Sequence, residues 1–231
     1  MVRAAVLGGR ITGMAWSGFG AYVWQGTHRG EPGITGIGSP KGAAHLVEAI
    51  VRDHRDLRHA SLPRGWIEHT TPRLVEYKAD WDWFWTEKAP DVRSLSAHVS
   101  WLTARDEPAV RALLEDAMPD AAAWPGDARV RRWAGIRDAE LRLAACAADT
   151  SYSPAVGHMS AVATATDQRR KGHAVALVGW MTSQYLDEGA DLVTLGMYAD
   201  NEAARRLYGQ LGFTCQHRFT SAGVGPVSPR L

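Results

Sequence analysis

The chain has 231 residues, of which 45% are hydrophobic and 22% charged, and its formal net charge is +1 at pH 7. This composition is that of a soluble globular protein with one large or two small domains, and the charge gives no reason to expect a nucleic acid or a membrane as partner. Its two cysteines, Cys146 and Cys215, show no metal-ligand spacing, so we expect neither a metal site nor a disulfide framework. No stretch reaches the ~20 apolar residues that span a bilayer, and a cytoplasmic location is the default expectation.

The N-terminal part, residues 1–95, is predicted to be a smaller accessory α/β region. Ser39 and Pro40 are typical of an N-cap and a first helical turn. The predicted elements are a strand over 34–38, a helix from 40 to about 52, and strands over 66–70 and 74–77. The glycines of residues 36–42 superficially resemble a dinucleotide-binding turn, but their spacing is wrong and Pro40 removes a donor. Nucleotide binding there is the less favoured alternative.

Six of the ten tryptophans lie before residue 86. Trp81, Trp83 and Trp85 alternate with other residues, so in a strand their indoles share one face. We favour a packing surface over the alternative, a wall of a substrate pocket.

Residues 96–220 are predicted to form a second domain, followed by a flexible tail over 221–231. Hydrophobic periodicity and turn residues define its elements. They are a strand over 101–103, a helix over 105–118, strands over 133–136, 141–147 and 158–164, a helix over 173–188, a strand over 191–198, a helix over 201–211 and a last strand over 213–220.

Residues 169–174 read Arg-Arg-Lys-Gly-His-Ala and join a strand of small residues to the helix that begins near His173. A helix N-terminus attracts phosphate through unpaired N–H groups and a partial positive charge. Gly172 lets the backbone approach a ligand closely, and three cationic side chains reinforce the field. The pattern predicts a pyrophosphate site; the alternative is an ordinary charged helix start.

The helix predicted over 201–211 carries Asn201, Ala204, Arg205 and Tyr208 on one face, because positions i, i+3, i+4 and i+7 align. The alternative is that Asn201 is an N-cap and Tyr208 a packing residue. The two segments together are more specific than either is alone.

These two segments resemble the signature segments of the GNAT superfamily of acyl-CoA-dependent N-acyltransferases. Residues 169–174 fit the (Gln/Arg)-x-x-Gly-x-(Gly/Ala) loop, and residues 201–213 fit the second segment, Asn-x-x-Ala-x-x-Leu-Tyr-x-x-Leu-Gly-Phe. The resemblance covers about residues 97–220. It implies an α/β fold with a mixed, splayed β-sheet flanked by helices. Residues 1–95 would precede it, and an alternative is that they form a degenerate GNAT-like half.

The resemblance also implies acetyl-CoA as acyl donor, with no metal. Backbone groups of Val162 and Thr164 would bind the pantetheine arm, and an N–H on the splayed strand would polarise the thioester carbonyl. Tyr208 would act on the departing thiolate as general acid or, because a phenol is a weaker acid than a thiol, as a hydrogen-bond donor. The full set of predicted coenzyme-binding residues is Val162, Ala163, Thr164, Arg169, Arg170, Lys171, Gly172, His173, Ala174, Asn201, Ala204 and Arg205.

The implied reaction is direct attack of a primary amine on acetyl-CoA in a ternary complex, without a covalent acyl-enzyme. His158 is the candidate general base, since it lies on the strand before the loop and titrates near neutrality. The alternatives are a structural role for His158 and a base among Asp149, Asp167, Glu140 and Glu68.

The acceptor, a small molecule or a peptide, and the acyl chain length stay open, and a homodimer is possible. Two other functions are considered: a non-catalytic acyl-CoA sensor, and a partner-binding module with a vestigial CoA site.

Overall fold

The computed structural model describes residues 13–28, 30–90 and 98–225. The chain divides into two compact units: unit 1 falls within Met1–Trp83, Met197–Glu202 and Cys215–Leu231, and unit 2 is Phe84–Gly196 with Ala203–Thr214. The domain boundary that we predict between 91 and 96 lies outside the described residues. The last six residues of the predicted tail lie outside them as well. No helix in the described ranges is both long and apolar enough to cross a membrane.

The described residues of unit 1 form one α-helix and all or part of six strands. The strands are β1 (Ala15–Gly18), β2 (Ala21–His28), β3 (Glu31–Gly38), β4 (His59–Pro63), β5 (Val75–Thr86) and β11 (Thr214–Val224), and the helix is α1 (Pro40–Asp53). They lie in the order β1-β2-β3-β4-β11-β5. β1, β2 and β3 pair antiparallel, whereas β3 and β4 are parallel with α1 as the crossover. β11 runs four residues beyond the predicted end of the last strand, because it pairs antiparallel with β4 through Gly223.

Helix α1 begins where the sequence indicates. The Ser39 side chain accepts a hydrogen bond from the Gly42 N–H (3.2 Å), and Pro40 occupies the first turn. The inner face of the helix buries Leu46, Val47 and Ile50 in the core of unit 1.

The strand predicted over 66–70 is wrong: Trp66–His69 is a 3₁₀ turn. Gly65 has φ 89°, a left-handed conformation that turns the chain out of an extended path. The fully buried Trp66 indole donates to the Thr220 carbonyl (2.9 Å), so this aromatic residue anchors a turn to β11.

The alternating tryptophans lie in β5, as their spacing predicts. Trp81 stacks on Phe219 with ring centroids 4.6 Å apart, and Trp83 lies 5.9 Å from His217. Both indoles therefore pack against side chains of β11, the neighbouring strand of the same sheet.

Unit 2 contains the elements predicted for the C-terminal domain except the last strand, which is β11 of unit 1. They are β6 (Val99–Trp101), α2 (Glu107–Ala117), β7 (Arg132–Arg137), β8 (Leu143–Asp149), β9 (Val156–Thr164), α3 (His173–Asp187), β10 (Leu192–Tyr198) and α4 (Glu202–Gln210). The strands lie in the order β10-β9-β8-β7-β6. Pairing is antiparallel except between β9 and β10, which are parallel. Val110, Leu113 and Leu114 of α2 pack into a core with residues of β8 and β9.

The parallel pair β9–β10 opens along its length. It is in register from Leu192 opposite Val156 to Leu195 opposite Met159, and the following residues of β9 pair only with β8. β9 also contains a bulge, because Ser160 and Ala163 lie opposite Ala148 and Cys146. The mixed, splayed α/β sheet flanked by helices that we expected is therefore confirmed.

The packing of α3 on β9 yields a stability prediction. A Cβ on Gly157 would lie 2.6 Å from Cγ of the buried Tyr185, whereas a Cβ on Gly209 in α4 meets nothing within 4 Å. We expect Gly157→Ala to lower the free energy of unfolding by about 1–3 kcal/mol through overpacking. Gly209→Ala should raise it by about 0.5–1 kcal/mol, because glycine weakens a helix interior. Urea denaturation of both variants measures the difference, and equal stabilities would contradict this packing.

Candidate functional site

The open edge of β9 exposes backbone hydrogen-bonding groups. The Ala165 N–H donates to the Ala144 carbonyl (2.9 Å), and Thr164 is in register with Ala145. Because successive residues of an antiparallel ladder alternate in direction, the backbone N–H and C=O of Thr164 point away from β8. They lie beyond the last residue of β9 that pairs with β10.

The bulge adds further groups to this edge. Ala161 and Val162 lie between the paired residues Ser160 and Ala163, with one residue too many for the opposite strand. Ala161 has φ 50°, a left-handed conformation that costs a non-glycine residue about 1–2 kcal/mol. Such strain is typical of functional sites, where the surrounding structure fixes a backbone direction.

The loop after β9 presents N–H groups at the start of α3. Arg170 (φ 64°) and Gly172 (φ 82°) are both left-handed, and Gly172 is the N-cap of the helix with no side-chain hydrogen bond. The first N–H to return to the cap is that of Ala176, which donates to the Gly172 carbonyl (3.0 Å). The N–H groups of the preceding helical residues, among them His173 and Ala174, therefore point out of the helix end. Left-handed residues in such a turn form an anion-binding concavity.

The cationic side chains of the loop are exposed. Lys171 donates to the Gln168 side chain (2.9 Å), and Arg169 reaches the carbonyl of Ala117 at the end of α2 (3.4 Å). These bonds fix two of the three cations beside the helix N-terminus, where their field adds to that of the helix dipole.

The loops that lead into α1 and into α3 differ in their capacity to bind phosphate. At α1 the Ser39 side chain caps the helix, the Ser39 N–H donates to the Gly20 carbonyl (2.9 Å), and a Cβ on Gly42 would lie 2.2 Å from the Phe19 carbonyl oxygen. At α3 a Cβ on Gly172 would meet nothing within 4 Å. Of these two loops, both within the described residues, only the one before α3 leaves room for a diphosphate. This difference disfavours nucleotide binding at residues 36–42.

Tyr208 lies on α4 with its side chain 5% exposed. Its ring lies 5.9 Å from Phe84 and 6.1 Å from Phe213, and burial raises the pKa of the phenol to about 12. Tyr208 therefore keeps its proton at neutral pH. Asn201 directly precedes α4, and Ala204 and Arg205 are half-buried on it.

His158 is half-buried on β9, and its ring contacts the neighbouring strand β10. Its Nδ1 lies 2.7 Å from Oγ1 of Thr194, which also lies 3.1 Å from the Gly157 carbonyl oxygen. The hydroxyl has a single proton: when it donates to the Gly157 carbonyl, it accepts from Nδ1–H of His158, and the lone pair of the neutral ring is then on Nε2.

The alternative carboxylates have other surroundings. Asp149 is fully buried and accepts from Arg132 Nε (3.0 Å) and the Ser151 N–H (3.0 Å). Asp167 and Glu140 are exposed and lie 3.5 and 3.9 Å from Arg142. Glu68 is exposed on the 3₁₀ turn of unit 1. In the described ranges, no three His, Cys, Asp or Glu side chains are grouped to hold a metal ion.

Two features of the site could not be predicted from the sequence. Thr194 lies 36 residues from His158, and only the register of the parallel pair shows that they meet. The bulge at Ala161 has no sequence signal, because alanine rarely adopts φ > 0.

The comparisons with known proteins agree with this geometry. Residues 134–220 match the family model FR47-like protein. A GNAT-family structure from Novosphingobium aromaticivorans is 24% identical, with a TM-score of 0.60 and 84% of each chain covered. A GCN5-related N-acetyltransferase from Kribbella flavida is 17% identical, with a TM-score of 0.62 and coverage of 96% of this chain and 93% of that one.

A tandem GNAT protein from the clavulanic acid biosynthesis pathway is 15% identical, with a TM-score of 0.51, and the match covers 90% of this chain and 80% of that one. No curated protein matches the chain. The predicted GNAT-like fold is confirmed: this chain has the fold of these GNAT structures, and residues 134–220 match the FR47-like model.

The open end of α3 predicts a sensitive position for coenzyme binding. We expect Gly172→Glu to weaken CoA binding by about 100-fold or more, because a side chain and a negative charge enter the predicted diphosphate seat. Isothermal titration with CoA measures the loss. Gly189→Glu is the matched control, since Gly189 follows the other end of the same helix with φ 95° and equally open space. Unchanged affinity in Gly172→Glu, or equal loss in both variants, would contradict the assignment.

Proposed function

We propose that this protein is an N-acetyltransferase that moves an acetyl group from acetyl-CoA to a primary amine. The observation that carries the proposal is the uncapped N-terminus of α3, with left-handed Arg170 and Gly172, directly after a strand whose edge has opened. The GNAT fold supports it, because related folds in other organisms are those of acetyltransferases.

In this proposal the diphosphate of acetyl-CoA binds the N–H groups at the start of α3, with Arg169, Arg170 and Lys171 around it. The pantetheine arm would lie along β9, against the backbone groups of Thr164 that point away from β8 and the backbone of the bulge residue Val162. When bound, acetyl-CoA supplies an activated acetyl thioester. An N–H at the bulge would stabilise negative charge on the thioester oxygen, as preorganised backbone donors do.

Tyr208 would act as a hydrogen-bond donor to the leaving sulfur. With a pKa of about 12, transfer of its proton to a thiolate of pKa about 8.5 is unfavourable by ~5 kcal/mol. A hydrogen bond from a retained phenol proton needs no such transfer, and bonds to charged groups are the stronger ones. The buried phenol thus favours electrostatic stabilisation over full acid catalysis.

His158 would take the proton of the attacking amine through Nε2. The Thr194 hydroxyl contacts the other ring nitrogen; in the arrangement where it donates to the Gly157 carbonyl, it accepts from Nδ1–H and leaves the lone pair on Nε2. No carboxylate among the four alternatives has an arrangement that fixes a proton acceptor in this way.

The proposal is tested by release of thiol. Both an enzyme and a non-catalytic sensor should be stabilised by acetyl-CoA in a thermal melt, whereas only an enzyme should release CoA thiol when a panel of primary amines is added. We expect at least one small amine or peptide N-terminus to give turnover that Gly172→Glu abolishes. Stabilisation without turnover by any amine would favour the sensor. Absence of stabilisation would favour a partner-binding module.

Tyr208→Phe should lower kcat by about 10- to 100-fold, the value of a hydrogen bond to a charged group, and change the KM for acetyl-CoA little. The reason is that the bond to sulfur strengthens only as the thiolate forms. Tyr22→Phe, on an exposed tyrosine of unit 1, is the control. Equal losses in kcat and in acetyl-CoA affinity would identify Tyr208 as a packing residue instead.

A further inference from the structure

Unit 1 contains a cleft that the proposed reaction does not use. β3 and β4 pair over only three positions, from Gly33 opposite His59 to Thr35 opposite Ser61, and their ends then diverge. A cleft of about 640 Å³ opens there, bounded by Ile37 of β3, Pro63 of β4, Arg64, and the first half of β11. This volume is in the range of sites for small organic molecules.

The cleft lacks the phosphate seat of a coenzyme site. It lies where β3 leads into α1, the position that corresponds to β9 and α3 in unit 2. The start of α1 is capped by Ser39 and covered by the carbonyls of Phe19 and Gly20, so no N–H cluster is presented to a diphosphate. The ligand of this cleft is therefore expected to differ from CoA.

Two guanidinium groups line the cleft. Arg64 donates through Nη2 to Asp82, and its Nε has no hydrogen-bond partner among the described residues, although Asp80 is 3.5 Å away. Arg218 is exposed, and no described residue forms a hydrogen bond or ion pair with its side chain. Guanidinium donors in such a pair match the planar geometry of a carboxylate.

The charge and the apolar lining of the cleft limit further which kind of ligand it can bind. Asp80 and Asp82 both pair with Arg64, so Arg218 is the cation left for a ligand, and a single cation suits one negative charge better than two. Burial lowers the pKa of His217 in the wall to about 4, so this ring adds no charge at pH 7. Ile37, Pro63 and Phe219 supply an apolar surface for the body of the molecule.

We propose that this cleft of unit 1 is a second ligand site, which binds a small organic monocarboxylate with an apolar body. Its carboxylate contacts the exposed guanidinium of Arg218. The proposal is independent of the acetyl-transfer activity, because every residue that carries it belongs to unit 1.

Cys215 supplies a direct readout of occupancy. It is half-buried in the wall of the cleft, whereas the second cysteine of the chain, Cys146, is fully buried and its pKa is raised to about 12 by burial. A neutral thiol reagent such as dithiodipyridine should therefore label Cys215 in the folded protein, and Cys215→Ser should abolish the fast labelling.

The experiment compares labelling rates with phenylacetate, 4-methylpentanoate, the neutral amide of each, and inorganic phosphate. We expect at least one carboxylate to slow labelling about tenfold at ten times its Kd, while its amide and phosphate have little effect. Arg218→Gln should remove the protection, and Arg55→Gln, at an exposed arginine of the same unit outside the cleft, should retain it.

Four results would overturn the proposal. These are protection by neither carboxylate up to its solubility, equal protection by the amide, equal protection by phosphate alone, and protection that persists in Arg218→Gln. The Arg218 side chain is exposed and forms no hydrogen bond or ion pair with another described residue, so its replacement should leave the fold intact, and an unchanged melting temperature checks this.

Discussion

The candidate site depends on one constraint, the end of the parallel pairing between β9 and β10 at Met159 and Leu195. Beyond that point the polar backbone of β9 has a strand on one side only, and buried peptide groups without partners are costly. The bulge at Ala161 lies in this segment, and pairing of Ser160 and Ala163 with β8 on either side holds its strained backbone in place. An extended ligand that supplies hydrogen bonds would complete the edge, much as a further strand would.

The two halves of the chain differ in how the N-terminus of one helix is capped, and this difference decides whether the preceding loop can bind an anion. Each has a strand that leads through a glycine-containing turn into a helix after a parallel pairing that opens. In unit 1 a serine hydroxyl satisfies the helix end and a hairpin turn covers it, whereas Gly172 of unit 2 has no side chain to do so. The idea that unit 1 is a degenerate GNAT-like half stays a prediction.

Local signals in the sequence were sufficient for the features that local physics determines. The cap at Ser39, the helix that starts at His173 and the alternation of Trp81 and Trp83 in β5 are confirmed. Features that depend on contacts between residues far apart in the sequence could not be predicted. Trp66 takes a turn because Gly65 is left-handed and the indole finds a carbonyl 154 residues away, and nothing in its neighbourhood indicates that. The same holds for the return of residues 215–225 to unit 1, which puts β11 beside β4.

The protonation states within unit 2 bear on whether transfer would be direct. A covalent acyl-enzyme requires a nucleophile, and burial that raises the pKa of the Cys146 thiol to about 12 leaves almost no thiolate there at neutral pH. Direct attack requires a proton acceptor for the amine and a donor for the sulfur. In the proposed reaction His158 is the acceptor, and Tyr208, whose phenol pKa is raised to about 12 by burial, is the hydrogen-bond donor. Contacts that the folded chain already makes, with Thr194 for His158 and with Phe84 and Phe213 for Tyr208, position both side chains before a substrate binds.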